Sequence, residues 1–258
     1  MAVLASFLLG SFYGSFLNVL IWRLPREESI VSPGSRCPLC LNPLAFYDNV
    51  PILSWLWLRG RCRSCGGAIS IRYPLVEAAT ALLFAALWGR WPHSPLWMGA
   101  ACAAAGLFLA VAFIDAAHRI IPDELSLALL LLGFLVSPFN PILRPPFAPW
   151  HRGLLWSLWG ALFGFLVGWG VAAVGERIFK KEAMGGGDVK LLAAIGAWGG
   201  ALGAFDALFV GSFWGALYGV WLIRRRMIGR RGAIPFGPFL SAGAIFNFFY
   251  LIPWGFLP

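Results

Sequence analysis

The chain has 258 residues, 60% hydrophobic, 16% aromatic and only 12% charged, with fourteen Trp and a mean hydropathy of +0.77. A water-soluble domain of this length carries about a quarter of its residues as charges, so the composition excludes one and points to a polytopic membrane protein. The net charge of +9 comes from 20 Lys and Arg against 11 Asp and Glu, and calls for either a membrane topology or an acidic partner.

In chain order, apolar windows of spanning length, about 17 to 25 residues, cover 3–22, 74–91, 96–115, 125–142, 154–174, 191–206, 207–223 and 236–257. The first lacks a basic n-region and an Ala-x-Ala-like cleavage site, so it reads as a retained anchor rather than a signal peptide. The sixth and seventh are weakly separated: Gly199, Gly200 and Gly203 interrupt the run, and Asp206 is its only polar break. The expected fold class is therefore an all-α polytopic membrane protein of about eight helices, with six or seven as the alternatives.

Charge orients these windows independently of hydropathy. With eight spans and an external N-terminus, only Arg90, Arg144 and Arg152 fall on one side, and every other Lys and Arg falls on the opposite side. The positive-inside rule makes the crowded side cytoplasmic. Clustered arginine such as Arg224-Arg225-Arg226 also has a nucleic-acid reading, but a juxtamembrane run is far more often a topology signal or an anchor for anionic lipids. No nucleic-acid partner is expected.

Residues 23–73 are the exception to the apolar pattern. They carry Cys37-Pro38-Leu39-Cys40 and, after the twenty-one residues 41–61, Cys62-Arg63-Ser64-Cys65. Two such knuckles present four thiolates, enough to complete a tetrahedral zinc site, so a zinc-ribbon-like loop domain is expected between the first two spans. A disulfide or redox role competes, but a cytoplasmic loop sits in a reducing compartment. Four thiolates leave no open coordination position, which makes the metal structural. Cys102 lies inside an apolar window and reads as a packing residue.

Two carboxylates stand where hydrocarbon is expected. Asp115 ends the run 107–114, and Asp188 closes Gly185-Gly186-Gly187-Asp188 before the run that starts at Leu191. Both fall at the cytoplasmic face of the eight-span arrangement. An acid at the edge of a bilayer costs several kcal/mol unless it faces a wet cavity or a partner. If the two approach closely they cannot both ionise, and the pair can then activate a water against a peptide carbonyl. The plainer reading has each aspartate capping a helix or pairing with Arg119 or Lys190. Other chemistries lack their residues: His93, His118 and His151 form no His-Glu-x-x-His pair, and no Walker spacing follows the glycines. A transporter with intramembrane acids and a cytoplasmic zinc-ribbon gate stays open as a second class. A membrane thiol oxidoreductase would depend on the loop cysteines alone.

Six motifs in order decide between these readings. They are Gly14-Ser15-Phe16-Leu17-Asn18-Val19-Leu20-Ile21-Trp22-Arg23-Leu24-Pro25, the paired Cys-x-x-Cys, Arg72-Tyr73-Pro74-Leu75-Val76-Glu77, Asp115 with Ile120-Ile121-Pro122-Asp123, Gly185-Gly186-Gly187-Asp188-Val189-Lys190-Leu191, and Ile234-Pro235-Phe236-Gly237-Pro238. Together they resemble the bacterial prepilin peptidases, the type IV leader peptidases of the Gly-x-Gly-Asp aspartic protease class. The resemblance covers nearly the whole chain. It implies a bifunctional inner-membrane enzyme that removes the leader of prepilins and pseudopilins after a glycine, then methylates the new N-terminal amine with S-adenosylmethionine. It makes Asp115 and Asp188 the catalytic pair, and divides the chain into a first helix at 1–22, a metal-binding and methyltransferase loop at 23–73 and a peptidase region at 74–258. No Gly-x-Gly-x-x-Gly follows a strand, so any cofactor site is an unusual one. Asn18, Arg23, Arg72 and Glu77, where the loop meets the first spans, are its expected lining, although Arg23 and Arg72 also serve topology.

Overall fold

A computed structural model of the chain describes residues 1–144, 147–180, 184–227, 229, 232 and 234–252. It divides into two units, Met1–Ser94 and Pro95–Pro258. Helices dominate both, and the described residues contain no strand beyond two isolated bridges.

In the first unit, α1 (Ala2–Arg23) is apolar throughout and gives way to a 3-10 turn, Leu24–Arg26, where Pro25 prevents the α-helical pattern from continuing. The chain then forms the two cysteine knuckles, a 3-10 turn at Phe46–Asn49 and the short α2 (Leu53–Trp57), before α3 (Arg72–Arg90), which accommodates Pro74 in its first turn. Helices α1 and α3 run antiparallel at very short range. A Cβ on Gly10 would meet Ala81 and one on Gly14 would meet Glu77, while Ser6 Oγ donates to the Phe84 carbonyl at 2.9 Å. Small residues four apart let backbones approach where lipid offers no hydrophobic drive for association.

The second unit holds α4 (Pro95–His118), α5 (Asp123–Val136), α6 (Trp150–Phe179), α7 (Gly186–Arg224) and α8 (Gly237–Asn247). Its centre is an aromatic cluster of Trp97, Trp198, Phe108 and Phe248, with Trp198 Nε1 donating to the Leu129 carbonyl at 2.8 Å. Leu155, Leu158, Leu162, Phe165 and Trp169 of α6 are instead exposed, an apolar face suited to hydrocarbon.

Among the described residues four helical stretches are long and apolar enough to cross a membrane: Ala2–Arg26, Pro95–His118, Trp150–Ile178 and Gly186–Arg224. The other expected windows are helical but shorter or more polar. The window at 125–142 ends as α5 at Val136, where Ser137-Pro138 starts a 3-10 turn. That at 236–257 is helical over Gly237–Asn247, and 253–258 lie outside the described residues.

The sixth and seventh windows form one element of 39 residues. A straight helix of that length would measure about 58 Å, nearly twice the roughly 30 Å of hydrocarbon. The element bends at Gly200, whose φ 69 and ψ −167 are not helical. The bend thus falls at one of the three glycines that interrupt the run, six residues before its polar break at Asp206. Asp206 is buried inside the second half of α7 and accepts the Ile252 N–H at 2.8 Å. Carbonyls around the bend find side-chain donors: Ser157 Oγ reaches Ala197 O at 2.6 Å and Asn140 Nδ2 reaches Trp198 O at 2.8 Å. The Gly200 conformation belongs to a region that is essentially glycine-only, so Gly200→Ala is expected to cost about 1–3 kcal/mol. A lowered unfolding midpoint of the detergent-solubilised protein checks this, and an unchanged midpoint contradicts it.

Candidate active site and metal centre

Asp115 stands in the last turn of α4, and its backbone carbonyl accepts the Arg119 N–H at 2.8 Å. The side chain is 5% exposed, and Oδ2 accepts the Gly237 N–H at 2.8 Å from the first turn of α8. Asp188 is the third residue of α7, where Oδ2 accepts the N–H of the N-cap Gly185 at 3.1 Å. A carboxylate here also faces the positive end of the helix. The end of α4 and the start of α8 therefore meet at Asp115, while Asp188 stands at the start of α7.

The pairing expected of two ordinary surface acids is not observed. Lys190, two residues after Asp188, points to Asp123 instead, with Nζ 2.7 Å from Oδ2. Among the described residues neither Asp115 nor Asp188 takes part in an ion pair. Each acid thus accepts one backbone N–H, and neither enters an ion pair among the described residues.

The role of Gly237 was not legible in the sequence, where it appears only as a glycine in a proline-flanked turn. A Cβ at this position would lie 2.8 Å from Asp115 Oδ2 and 3.0 Å from its Cγ, so the N–H can reach the carboxylate only if the residue is glycine. Ile121 packs against Gly187 in a similar way, at 3.0 Å from a Cβ built there. Gly237→Ala is expected to displace Asp115 and lower any activity of the pair by about 10²-fold, the cost of a misplacement near 1 Å. The check is kcat at matched folded protein, and an unaltered kcat would remove Gly237 from the site.

In the first unit the two knuckles are built alike. Bridges join Arg36 to Pro43 and Arg61 to Ala68, and the Cys37 and Cys62 N–H groups donate across each turn to Asn42 and Gly67. Equivalent positions take left-handed backbone, Leu41 in one turn and Gly66 in the other. All four Sγ atoms lie within 4.8 Å of one another, with Cys37–Cys65 at 3.9 Å and Cys40–Cys62 at 4.0 Å. A zinc–sulfur tetrahedron has edges of about 3.8 Å, whereas a disulfide is close to 2 Å. The N–H groups of Cys65 and Ser64 draw the Cys62 thiol down to about 6. The Asn42 N–H favours the Cys40 thiolate, yet desolvation and the three neighbouring thiols push that group up to about 11. Four thiolates in this volume need a cation.

The remaining candidates gather where the loop meets α1 and α3. Asn18 donates from Nδ2 to the Gly14 and Tyr73 carbonyls at 3.3 and 3.1 Å, and its Oδ1 is buried without a partner among the described residues. Arg72 Nε is buried and unpartnered likewise, while its guanidinium lies 5.9 Å from the Trp22 ring centroid. Glu77 Oε2 accepts the Ile52 N–H at 2.7 Å. Arg23 commits its guanidinium to three loop carbonyls, those of Ser29, Pro33 and Gly34. Sequence reasoning did not foresee that Arg23 and Glu77 tie the loop to the helices.

Comparison with known proteins follows the same division. Residues 8–91 match the profile of the bacterial peptidase A24 N-terminal domain, and residues 102–220 match that of the type IV leader peptidase family. Curated relatives named prepilin leader peptidase/N-methyltransferase include one from Dichelobacter nodosus, 37% identical over 92% of this chain and 87% of its own. Another from Pseudomonas aeruginosa is 38% identical over 93% and 87%, and one from Myxococcus xanthus is 41% identical over 84% and 62%. No solved structure matches the chain.

Proposed function

The chain belongs to the type IV leader peptidase family, and we propose that Asp115 and Asp188 perform the peptidase chemistry of that family. The protein is a prepilin leader peptidase and N-methyltransferase: it cleaves the leader of prepilins and pseudopilins after a glycine and methylates the new N-terminal amine. What supports the catalytic assignment is that Asp115 at the end of α4 and Asp188 at the start of α7 each accept one backbone N–H and neither takes part in an ion pair among the described residues.

In the proposed mechanism the pair holds one proton between its members. The ionised carboxylate takes a proton from a water, whose oxygen attacks the carbonyl carbon of the scissile peptide. The protonated carboxyl hydrogen-bonds the carbonyl oxygen as negative charge develops there. Collapse breaks the C–N bond, the leaving nitrogen takes a proton, and the pair returns to its single-proton state. Gly237 and Gly185 hold Oδ2 of each aspartate, so the second oxygen of each is left for water and substrate.

Cys37, Cys40, Cys62 and Cys65 would hold a structural Zn(2+), which supplies no reactive position and fixes the loop. Bound S-adenosylmethionine supplies the methyl group. The orphaned Asn18 Oδ1 and Arg72 Nε fit a polar ligand, and Glu77 with Arg23 would shape the loop that closes over it. The reading places eight crossings in the bacterial inner membrane, with the carboxylates at the cytoplasmic face and Arg224-Arg225-Arg226 among anionic headgroups. Purified protein in detergent should release the leader from a prepilin peptide and then transfer a methyl group to the trimmed amine. Solute flux in proteoliposomes without cleavage would instead support a transporter.

A further inference from the structure

The metal-site loop carries an apolar surface that its own packing leaves unused. In α2, Leu53, Leu56 and Trp57 stand at positions i, i+3 and i+4, so they share one face, and they are 65%, 58% and 83% exposed. Trp55 serves the interior instead: its indole N–H donates to the Ile69 carbonyl at 3.1 Å, and its ring packs on Gly60. Ser54 Oγ donates to the Tyr47 carbonyl at 2.9 Å, which sets the exposed Phe46 beside this turn.

The charges around this face are unbalanced. Arg63 is consumed by Asp48, at 2.7 Å. Arg59 and Arg61, immediately after α2, are exposed and enter no ion pair among the described residues. Both ends of the loop close on Trp22, where α1 ends and α3 begins, with the Arg26 guanidinium 3.8 Å and the Arg72 guanidinium 5.9 Å from its ring centroid. Trp with Arg is the pairing that settles at a membrane surface. A short apolar face of Leu and aromatic residues, flanked by arginine outside any ion pair and tethered to α1, which is long and apolar enough to cross a membrane, and to α3, which packs against it, has the chemistry of an in-plane anchor.

We propose that the face formed by Phe46, Leu53, Leu56 and Trp57 lies in the headgroup boundary of the cytoplasmic leaflet, with Arg59 and Arg61 on anionic phospholipid. The metal loop is then a membrane-surface module, not a domain standing in water. Its occupant is lipid because the free charges beside the face are basic and the tethers hold the loop within reach of the surface.

The test uses the full chain in nanodiscs with p-benzoylphenylalanine in place of Trp57. Irradiation should yield a phospholipid adduct on the peptide containing residue 57, at least about threefold more in phosphatidylglycerol than in phosphatidylcholine. R59Q with R61Q should abolish that difference, while the metal content of the four-cysteine site shows that the loop is folded. Crosslinks into residues 95–258, crosslinks into a second copy, or lipid adducts indifferent to headgroup charge overturn the proposal. None of these readouts uses catalysis, so they stand apart from the peptidase assignment.

Discussion

Asp115→Asn and Asp188→Asn are each expected to lower leader cleavage by about 10²–10⁴-fold or more, the range over which a positioned acid or base contributes, with the protein still folded in the membrane. An amide keeps the shape of the carboxyl and its hydrogen bond to Gly237 or Gly185, but it neither carries the charge nor exchanges the proton. The pair acts as a unit, so the double variant should be little worse than either single one. Single-turnover cleavage at equal folded protein measures this, and substantial turnover by either variant removes the dyad. The pH profile gives a second handle. Lowering the pH protonates both carboxyls and leaves no base, while raising it strips the shared proton and leaves no acid. Activity should therefore fall on both sides of a maximum, and a flat profile through the acidic range would count against the mechanism.

The parts of this site that sequence disclosed are those whose cost is local. A carboxylate at the end of an apolar run is anomalous wherever the chain folds, and so Asp115 and Asp188 stood out without any knowledge of each other. Cys-x-x-Cys spacing likewise encodes its own turn, and the two knuckles fold as that spacing requires. What remained hidden depends on distant partners. The Gly237 N–H meets Asp115 across 122 positions, and nothing near Gly237 advertises that contact. The guanidinium of Arg23 was legible as a topology charge but not as the clasp for Ser29, Pro33 and Gly34.

The same distinction explains the helix boundaries. Hydropathy locates apolar stretches, but backbone geometry decides where they bend. Gly199, Gly200 and Gly203 interrupt the run ahead of its polar break at Asp206, and the bend falls at Gly200, in a conformation that glycine alone accepts. The aspartate is tolerated inside α7 by burial and by the Ile252 N–H. Polarity marked the neighbourhood of the break and conformation fixed its position.

The metal loop supports an expectation that separates the two activities. Double replacement of Cys37 and Cys40 by Ser should release the metal, because two hydroxyls cannot stand in for two thiolates in a four-cysteine site. Apparent binding free energies of about 10–16 kcal/mol accompany structural zinc in small domains, and a loop with few buried apolar side chains has little else to hold it. Disorder would loosen the bond from Ile52 to Glu77 and the three that Arg23 makes, and so reach Asn18 and Arg72 at the proposed cofactor site. Asp115, Asp188 and Gly237 all belong to the other unit, 95–258. Amine methylation should therefore be lost, while leader cleavage is reduced but not eliminated. Methyl transfer to an already trimmed pilin peptide, cleavage of an untrimmed one and metal content are measured on the same preparation. A parallel fall of both activities with folded protein would make the loop a mere staple. Full methylation by metal-free protein would refute its assignment to the methyltransferase half.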